Sequence, residues 1–335
     1  MEHLVKTGQD INSYTEKLKY GDTVIVEDGD FRSVGVKVSG ITYEALNPRK
    51  AITGQWVWSR DVNSVKIDGF EAVNSNYNAF ELNKNNKSNW ITNCGIHTKG
   101  TCGVDIANNG DDNKVEGCDI HDMHYAFHTS NTVNKNNAFI KNHCWNFTGD
   151  IINVSPSAFG TKLLYNILHD AEDDGIHCFD DGKPEVIGNL VYNCKGVPFW
   201  VNGVQGGIER NNTIIGLAPK DWKTMVVWLE KAGHIFRNNI VYALDPNMKL
   251  IVGTGDIAYN YWKDPKFVDI ANNDYRLQAD SPCINAGDDG KNIGYWQGEV
   301  QPEPEPEPPT PQPEYVEKLV LIKALQGMMD KIKGV

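Results

Sequence analysis

The chain has 335 residues, of which 32 are basic and 44 are acidic, giving a formal net charge of −12. This balance, without any basic stretch interleaved with aromatic residues, argues against a nucleic-acid partner, because phosphates are bound by clustered Lys and Arg. No run of 18 or more apolar residues is present, which argues against a membrane span. Residues 1–5 lack the basic and apolar regions of a secretory signal, so no signal peptide is expected.

Residues 1–23 are predicted to cap the fold that follows. Ile11, Tyr14 and Leu18 fall on one helical face, so we expect a helix over residues 10–20. An apolar strand then begins at Val24 and ends before a turn at Gly29. A helix placed over this first strand would cover an open sheet end that is otherwise prone to aggregate.

Residues 24–260 repeat at a step of about 24 residues, with short β-like runs in each copy. Asn and Gly recur where a coil must turn, and the runs are too short for pairs of helices. The second residue of each aligned core forms a column: Cys94, Cys118, His143, Asn166, Asn189, Asn212 and Asn239. The repeat predicts an all-β fold, a right-handed single-stranded parallel β-helix.

The same alignment defines three kinds of stacked side chain. The asparagines of the column are expected to satisfy backbone groups of neighbouring coils through their amides. An apolar column is expected to point inward: Ile96, Ile120, Leu168, Val191, Ile214 and Val241. A histidine-rich column on a different outward face is interpreted as stacked surface side chains rather than as a metal site: His97, His121, Asn146, His169 and Tyr192.

The cysteines do not suggest a disulfide framework. There are seven of them, an odd number, and no two have a CxxC spacing. Cys94 and Cys118 fall in the same column of successive coils, which favours packing as small apolar side chains. The spacing also argues against a zinc site of the CxxC type.

Three segments follow the repeat. Residues 261–300, with Pro265, Pro282 and several glycines, are predicted to close the β-helix, and residues 301–313 are predicted to be an extended Pro/Glu linker. Residues 314–335 place an apolar stripe on an amphipathic helix: Leu319, Ile322, Leu325, Met329 and Ile332. Because such a helix is marginal alone in water, we expect it to associate with itself or to dock on a larger assembly.

The segments at the start and at the end of the repeat region resemble those of a known family. Residues 18–31, with Gly21-Asp22-Thr23 before the strand, resemble the opening of pectate-lyase-like β-helix proteins. Residues 264–268 and 275–287 look like the closing signature of that group. The resemblance implies the parallel β-helix fold and an acidic polysaccharide as substrate. It does not select a reaction, because the superfamily contains lyases, hydrolases and epimerases as well as virus tailspikes.

A second strand in each coil predicts a polar ridge. Its inward residues are Phe80, Val104, Phe127, Ile152, Ile176, Phe199 and Val227. Side chains alternate across a strand, so the next residues point outward: Glu81, Asp105, His128, Asn153, His177, Trp200 and Trp228. We interpret Glu81, Asp105, Asn153, Trp200 and Trp228 as substrate-binding residues, with the tryptophan faces stacked on sugar rings. The alternative is an ordinary polar surface.

The turn before this strand adds acidic residues. Asp173 and Asp174, with Asp150 one coil earlier, are candidate metal ligands, and Ca²⁺ is the candidate cofactor because it prefers oxygen ligands. Glu172 completes a run of three carboxylates, two of which could instead be the acid and base of an inverting glycoside hydrolase. A solvated acidic turn is the third interpretation. The candidate catalytic residues are His177, His128, Asp174, Tyr125 and Lys195.

These observations predict a protein that degrades an acidic polysaccharide, by β-elimination in preference to hydrolysis. The resemblance does not extend to pectate itself, because the Arg-rich base pattern of classical pectate lyases is absent: Arg210 and Arg237 fall in turns. The expected location is a virion or the extracellular space, where the protein could serve as a tail depolymerase. The alternative is a non-catalytic glycan-binding or structural spike.

Overall fold

The computed structural model describes residues 1–73, 76–129, 133–203, 205–217 and 223–295. Within these residues the chain winds into a parallel β-solenoid of about ten turns. The first turn contributes a single strand, and each later turn contributes one strand to each of three sheets, which are numbered here in the order in which the chain reaches them. Strands in successive turns pair in parallel, at the spacing of about 4.8 Å that is usual for neighbouring strands.

The first sheet contains ten short strands: Glu2–Val5, Thr23–Val26, Thr42–Ala45, Lys66–Asp68, Trp90–Thr92, Lys114–Glu116, Ala138–Ile140, Lys162–Leu164, Glu185–Ile187 and Ile208–Arg210. The second sheet also has ten within the described part of the chain: Gly29–Asp30, Ala51–Thr53, Glu71–Ala72, Gly95–His97, Asp119–Met123, His143–Phe147, Ile167–Ala171, Leu190–Cys194, Thr213–Gly216 and Ile240–Ala243.

The third sheet begins with eight strands: Val34–Val36, Trp56–Trp58, Phe80–Leu82, Cys102–Ile106, Tyr125–Thr129, Ile152–Val154, Ile176–Phe179 and Phe199–Asn202. Two long strands, Met225–Arg237 and Lys249–Ala258, then extend across both the third and the first sheets. A small parallel pair, Asn134–Lys135 with Ala158–Phe159, lies outside the three sheets.

The core is a stack of apolar side chains inside the three sheets. On the second sheet Ile96, Ile120, Leu168, Val191, Ile214 and Val241 pair in register and are fully buried, which confirms the predicted inward column. All seven cysteines are buried and none forms a disulfide. Five of them pack in the apolar core of the solenoid, which confirms the predicted packing role for these five: Cys94, Cys118, Cys144, Cys178 and Cys194. Burial of one such column adds the same apolar area with every turn, so the core lengthens without widening.

An asparagine ladder joins the first sheet to the second. Each member accepts a hydrogen bond from the backbone N–H of the preceding coil, as Asn166 Oδ1 does from Asn142 N at 2.9 Å. The amide also donates to a backbone carbonyl, as Asn166 Nδ2 does to Phe139 O at 2.9 Å. The residue before the ladder position takes a left-handed conformation, for example Gly117 at φ 63° and Gly188 at φ 68°. The predicted role of the asparagines is therefore confirmed.

One coil was aligned one residue out of register. Asn142, not His143, occupies the ladder, and His143 pairs with Asp119 and Ile167. The same slip affects the histidine-rich column, where Trp145 rather than Asn146 lies between His121 and His169. A one-residue shift exchanges the two faces of a strand. The sequence did not reveal it because the inward residue of this coil is Cys144, whereas the neighbouring coils have the aliphatic residues Ile120 and Leu168 at this position.

The predicted N-terminal helix is wrong. Residues Glu2–Val5 form the first strand of the solenoid, and the only helical residues before Thr23 are the one-turn 3₁₀ helix Ile11–Tyr14. The side chains of Ser13 and Thr15 donate to the backbone carbonyls of Asp10 and Asn12. Such local bonds compete with a longer helix.

Residues 261–295 first close the solenoid and then return along its side. Trp262 packs on Phe236 with ring centroids 6.2 Å apart. The antiparallel strands Phe267–Asp269 and Asp274–Leu277, joined at the 3₁₀ helix Ile270–Asn272, then place apolar side chains on the outward face of the second sheet. The side chains in this contact are Leu190, Tyr192, Ile215 and Ile240 with Phe267, Tyr275, Cys283 and Ile293.

The predicted linker over residues 301–313 and the predicted amphipathic helix over residues 314–335 lie outside the described residues. Among the residues that are described, no helix has the length and hydropathy needed to cross a bilayer.

Candidate functional site

The third sheet presents two parallel columns of outward side chains. The first, the ridge column, contains Glu81, Asp105, His128, Asn153, His177, Trp200 and Trp228, and these residues pair in the predicted order. The second, the turn column, lies three residues earlier in each coil: Cys102, Tyr125, Asp150 and Asp174. Between the columns lie two successive buried residues, such as Ile151 and Ile152, so the alternation of inward and outward side chains is interrupted where the chain enters the third sheet. This corner directs two side chains of each coil outward and brings the columns together.

Three residues from both columns form a compact cluster. His177 Nδ1 lies 3.3 Å from Asp150 Oδ2 and 3.5 Å from Asp174 Oδ2. One ligand atom from each residue falls within 4.8 Å of the others, and all three side chains are buried. Asp150 is held in place by the Asn153 amide, which donates to its Oδ2 at 2.7 Å, and by the Asp174 backbone N–H at 3.1 Å. We refer to Asp150, Asp174 and His177 as the acidic cluster.

Lys223 neutralises one side of this cluster. Its Nζ donates to Asp174 Oδ1 at 2.9 Å and also to the carboxylate of Asp173. Asp174 Oδ1 in addition accepts the backbone N–H of Val197 at 2.6 Å. A Cβ atom on the neighbouring Gly196 would approach Asp174 Oδ1 to 2.2 Å, so the glycine is what allows the backbone to come this close to the carboxylates.

The two carboxyl groups of the acidic cluster and the Lys223 ammonium group have different electrostatic environments. Burial, together with the charge of Asp150, raises the pKa of Asp174 to about 6, against the opposing effect of Lys223. Burial also acts to raise the pKa of Asp150, but the hydrogen bonds from His177, Asn153 and the Asp174 N–H outweigh it and lower that pKa. Burial acts to lower the pKa of Lys223, but its bonds to Asp173 and Asp174 raise the pKa overall. Lys223 is therefore protonated at neutral pH while these contacts persist.

The aromatic part of the ridge column is stacked on itself. The Trp200 ring lies between His177, with centroids 4.2 Å apart, and Trp228, at 4.4 Å, and all three rings are nearly parallel. Both faces of the Trp200 indole are covered, so a sugar ring could touch it only at the edge. The predicted role of Trp200 as a face-stacking platform is therefore incompatible with the geometry. Its stack instead fixes the orientation of His177, whose Nε2 is buried without a hydrogen-bond partner among the described residues.

A second group of ridge residues surrounds His128. His128 Nδ1 lies 2.8 Å from Asp105 Oδ1, and the Tyr125 ring is stacked on the imidazole with centroids 5.4 Å apart. Burial and then the negative charge of Asp150 raise the pKa of Tyr125 above its usual value, so its hydroxyl stays protonated at neutral pH. Tyr125 therefore links the His128 group to the acidic cluster one coil later.

Three predicted residues lie in other contacts. Lys195 pairs with Glu172 at 2.5 Å on the exposed side of the turn. Glu81, near the start of the ridge, accepts a hydrogen bond from Gln55 Nε2 at 2.9 Å. Asp173 is 45 % exposed and reaches the acidic cluster only through Lys223.

The alignment of successive coils places Lys223 in the turn before its ridge strand, as it does Asp150 and Asp174. Sequence reasoning gave Lys223 no role, and it did not predict the contact with Asp173 and Asp174, which lie about fifty residues earlier in the chain. Sequence reasoning also treated His177 only as a proton-transfer residue, whereas its Nδ1 faces both carboxylates of the acidic cluster.

The acidic cluster fits a divalent cation. Two buried carboxylates and one imidazole nitrogen converge, and Asp174 has a raised pKa of the kind that a bound cation would reverse. Asp150 and Asp174 offer the oxygen ligands that Ca²⁺ prefers, while the His177 nitrogen favours Mn²⁺ or Zn²⁺. His177 is thus the ligand that separates the candidate metals.

Comparisons with known proteins agree on the architecture. A family model described as a right-handed β-helix region matches residues 55–216. The structure is similar to that of pectate lyase Pel9A, with a TM-score of 0.64 and 15 % identity over 85 % of this chain and 90 % of that one. It is also similar to a rhamnogalacturonan lyase, with a TM-score of 0.60 and 12 % identity over 80 % and 91 % of the two chains. The chain has the pectate-lyase-like right-handed parallel β-helix fold.

A third structure similar to this β-helix is a PL6 alginate lyase complex with a trisaccharide, with a TM-score of 0.50 and 14 % identity over 85 % of this chain and 66 % of that one. No curated protein sequence matches the chain. At these identities the likeness shows the fold of the β-helix alone, and it confirms the predicted resemblance. It does not identify the reaction.

Proposed function

We propose that this β-helix cleaves an acidic polysaccharide by β-elimination, assisted by a divalent cation at the acidic cluster. The observation that carries the proposal is the convergence of Asp150, Asp174 and His177 on an outward ridge, with Lys223 seated on Asp174. The polysaccharide lyases of the same fold support the substrate class by analogy.

The cation would supply electrostatic stabilisation of the negative charge that develops on the sugar carboxylate. Asp150 and Asp174 would hold it, and the choice between Ca²⁺ and a metal that accepts nitrogen depends on His177. Asn153 and the Asp174 N–H fix the Asp150 carboxylate in advance, so little reorganisation is needed on binding.

Lys223 is the base that we infer. In β-elimination the proton beside the carboxylate moves to the base, its electron pair forms the new double bond, and the bond to the leaving oxygen breaks. Lys223 cannot accept a proton while Asp173 and Asp174 keep it charged. Charge compensation of Asp174 by a cation would weaken that ion pair and lower the pKa of Lys223, so the base becomes available only in the loaded site.

Tyr125 is the acid that we infer for the leaving oxygen, because its pKa is raised and it lies one coil from Asp150. The His128 ring stacks on the Tyr125 ring and helps to hold its orientation. Lys195 is not needed in this scheme because its ammonium group pairs with Glu172.

The alternative is a non-catalytic glycan-binding or structural spike. Two observations favour it: Lys223 already pairs with Asp174 within the chain, and the Nε2 atom of His177 is buried. In this interpretation the ridge binds sugar without transforming it.

The test is to incubate the protein with a panel of acidic polysaccharides, with Ca²⁺, Mn²⁺ or chelator, and to follow the ultraviolet absorbance of unsaturated uronic ends. We expect a cation-dependent rise that Lys223→Met reduces by about a hundredfold or more. Lys195→Met is the matched control and should change the rate by no more than a few-fold.

Other outcomes would contradict the proposal. New reducing ends without unsaturation would indicate a hydrolase that uses the carboxylates. Binding of a polysaccharide without any cleavage would favour the spike. A Lys223→Met variant as active as the wild type would remove Lys223 as the base.

A further inference from the structure

A second set of metal-binding side chains lies on the same face of the β-helix. Cys102, Asp105 and His128 each offer one ligand atom, a sulfur, a carboxylate oxygen and an imidazole nitrogen, and these atoms lie within 4.8 Å of one another. The shortest approach is 2.8 Å, between His128 Nδ1 and Asp105 Oδ1. None of these contacts involves the acidic cluster.

An interruption of the inward and outward alternation at the start of the strand Cys102–Ile106 turns the thiol toward this set. A Cβ atom on Gly103 would meet Ile120 and the Met123 sulfur at 3.0 and 3.2 Å, so Gly103 faces the core. Val104 beside it is also fully buried. Two consecutive inward residues leave Cys102 and Asp105 on the outward side, three positions apart, and His128 pairs with Asp105 from the next coil.

The combination of donors selects a class of metal. A thiolate and an imidazole are ligands of Zn²⁺, Co²⁺ and similar borderline cations, whereas Ca²⁺ prefers oxygen alone. With Zn–S of about 2.3 Å and Zn–N or Zn–O of about 2.0 Å, ligand atoms of a tetrahedral site lie roughly 3.3 to 3.7 Å apart. Shifts of about 1 Å or less would bring the three atoms to that spacing.

Neighbouring side chains orient the three proposed ligands. Asn78 Nδ2 lies 3.4 Å from Asp105 Oδ2, and its Oδ1 accepts the Cys102 backbone N–H at 3.1 Å, so one side chain orients two of the three residues. Tyr125 covers one face of the His128 ring. Burial and the nearby Asp105 raise the pKa of the Cys102 thiol, so metal binding would release a proton.

We propose that Cys102, Asp105 and His128 bind a thiophilic divalent metal of the Zn²⁺ type, at a site separate from the acidic cluster. His128 and His177 are two coils apart on the ridge, which corresponds to about 10 Å. Three protein ligands leave a fourth position for water or for an anionic group of a molecule on the ridge. The proposal does not depend on the β-elimination mechanism.

The test uses Co²⁺ as a spectroscopic probe with the full-length protein. We expect one equivalent of Co²⁺ to produce a thiolate-to-cobalt charge-transfer band and the visible bands of a tetrahedral site, and Zn²⁺ to displace it. The acidic cluster has no sulfur and cannot produce the charge-transfer band. Cys102→Ala should abolish the band, while Cys144→Ala, which removes a thiol from the core of the solenoid, should keep it.

A second pair of variants keeps the thiol and tests the other ligands. Asp105→Asn and His128→Gln should each weaken Co²⁺ binding at least about tenfold, with the far-ultraviolet circular dichroism unchanged. The proposal is overturned if the folded wild-type protein gives no charge-transfer band, or if the band has equal intensity and affinity in these variants.

Discussion

Asp174 is subject to opposing electrostatic effects, because burial and Asp150 disfavour its charged form whereas Lys223 stabilises that form. Its carboxyl group is 1 % exposed, it lies near the charge of Asp150, and it carries the ion pair with Lys223. The net result is a pKa of about 6 against an ordinary value of 3.8. A group whose charged form is disfavoured in the folded state is suited to bind a cation, because the cation relieves the cost of that charge.

The pH dependence of stability gives a test at the residue scale. The native state binds the Asp174 proton more tightly than the unfolded chain does, so this residue's contribution to stability falls as pH rises from about 4 through about 6. At 1.36 kcal/mol per pKa unit the loss is about 3 kcal/mol. Asp174→Asn mimics the protonated form, so in chelator at pH 7.5 it should unfold at higher urea than the wild type.

The wild type and Asp174→Asn are unfolded with urea at pH 4.5 and at pH 7.5. The change in unfolding free energy between the two pH values is then compared between the proteins, because the other titrating groups contribute equally to both. An equal dependence of unfolding free energy on pH in the two proteins would show that the pKa of Asp174 is not raised in the folded state. The same substitution should abolish cation binding at the acidic cluster, so stability and proposed activity should change in opposite directions.

At the scale of elements, two structural features repeat along the solenoid: the corner that precedes each strand of the third sheet, and the asparagine ladder. The corner at which the chain enters the third sheet directs two side chains per coil outward and so brings together both metal-binding sets. The asparagine ladder, by contrast, satisfies buried backbone groups at the turn between the first and second sheets. The corner therefore brings the ligating side chains together, and the ladder holds successive coils in register.

Loss of one ladder amide should therefore destabilise the coils around it. Asn166→Ala leaves the Asn142 N–H and the Phe139 carbonyl unpaired in a fully buried turn. At about 1–3 kcal/mol for each buried unsatisfied group, we expect a loss of about 2–5 kcal/mol in the free energy of unfolding. Urea denaturation followed by circular dichroism measures it.

Asn260→Ala is the matched control for this experiment. Asn260 makes the same bonds to Asn239 N and Phe236 O, but it occupies the last, partly exposed position of the ladder. Water can replace the lost bonds there, so the cost should be markedly smaller. Equal costs at the two positions would contradict the burial argument.

At the scale of the whole molecule, residues 261–295 make the solenoid asymmetric. They cover the outward side of the second sheet near its C-terminal end, where Leu190, Tyr192, Ile215 and Ile240 would otherwise expose an apolar patch. The third sheet, which carries both metal-binding sets, has no part in this apolar contact. The fold thus stabilises one outward face and leaves polar, ligating residues on another. The virion or extracellular location and the association of the predicted C-terminal helix stay predictions from the sequence.

The contact of this return segment can be tested with two adjacent residues. Phe267 is 5 % exposed and packs on Tyr242 and Tyr275, whereas Val268 is 45 % exposed. Phe267→Ala should cost about 3 kcal/mol and speed both proteolysis of the segment and hydrogen exchange in the strand Leu190–Cys194. Val268→Ala should leave both rates unchanged. Unaltered exchange in Phe267→Ala would mean that the segment does not protect the sheet.

The sequence by itself determined the solenoid and its polar ridge. Side chains stacked at a fixed step have only one compatible structure, so the inward columns, the asparagine ladder and the order of residues from Glu81 to Trp228 could be predicted. The slip at His143 occurred where the inward position of the coil is a cysteine and not the aliphatic residue found in the neighbouring coils. The N-terminal helix was wrong because local hydrogen bonds outweighed a weak helical pattern.

Only the tertiary structure decided which ridge residues act together. Two consecutive inward residues in each coil leave Cys102, Asp150 and Asp174 facing outward, and strict alternation along a strand does not describe this corner. Lys223 reaches Asp174 from about fifty residues away through a connection that breaks the repeat. The stack that covers both faces of Trp200 depends on the distance between coils. Periodicity fixes which residues are neighbours along the axis, but the directions of their side chains follow from local backbone geometry and long-range contacts.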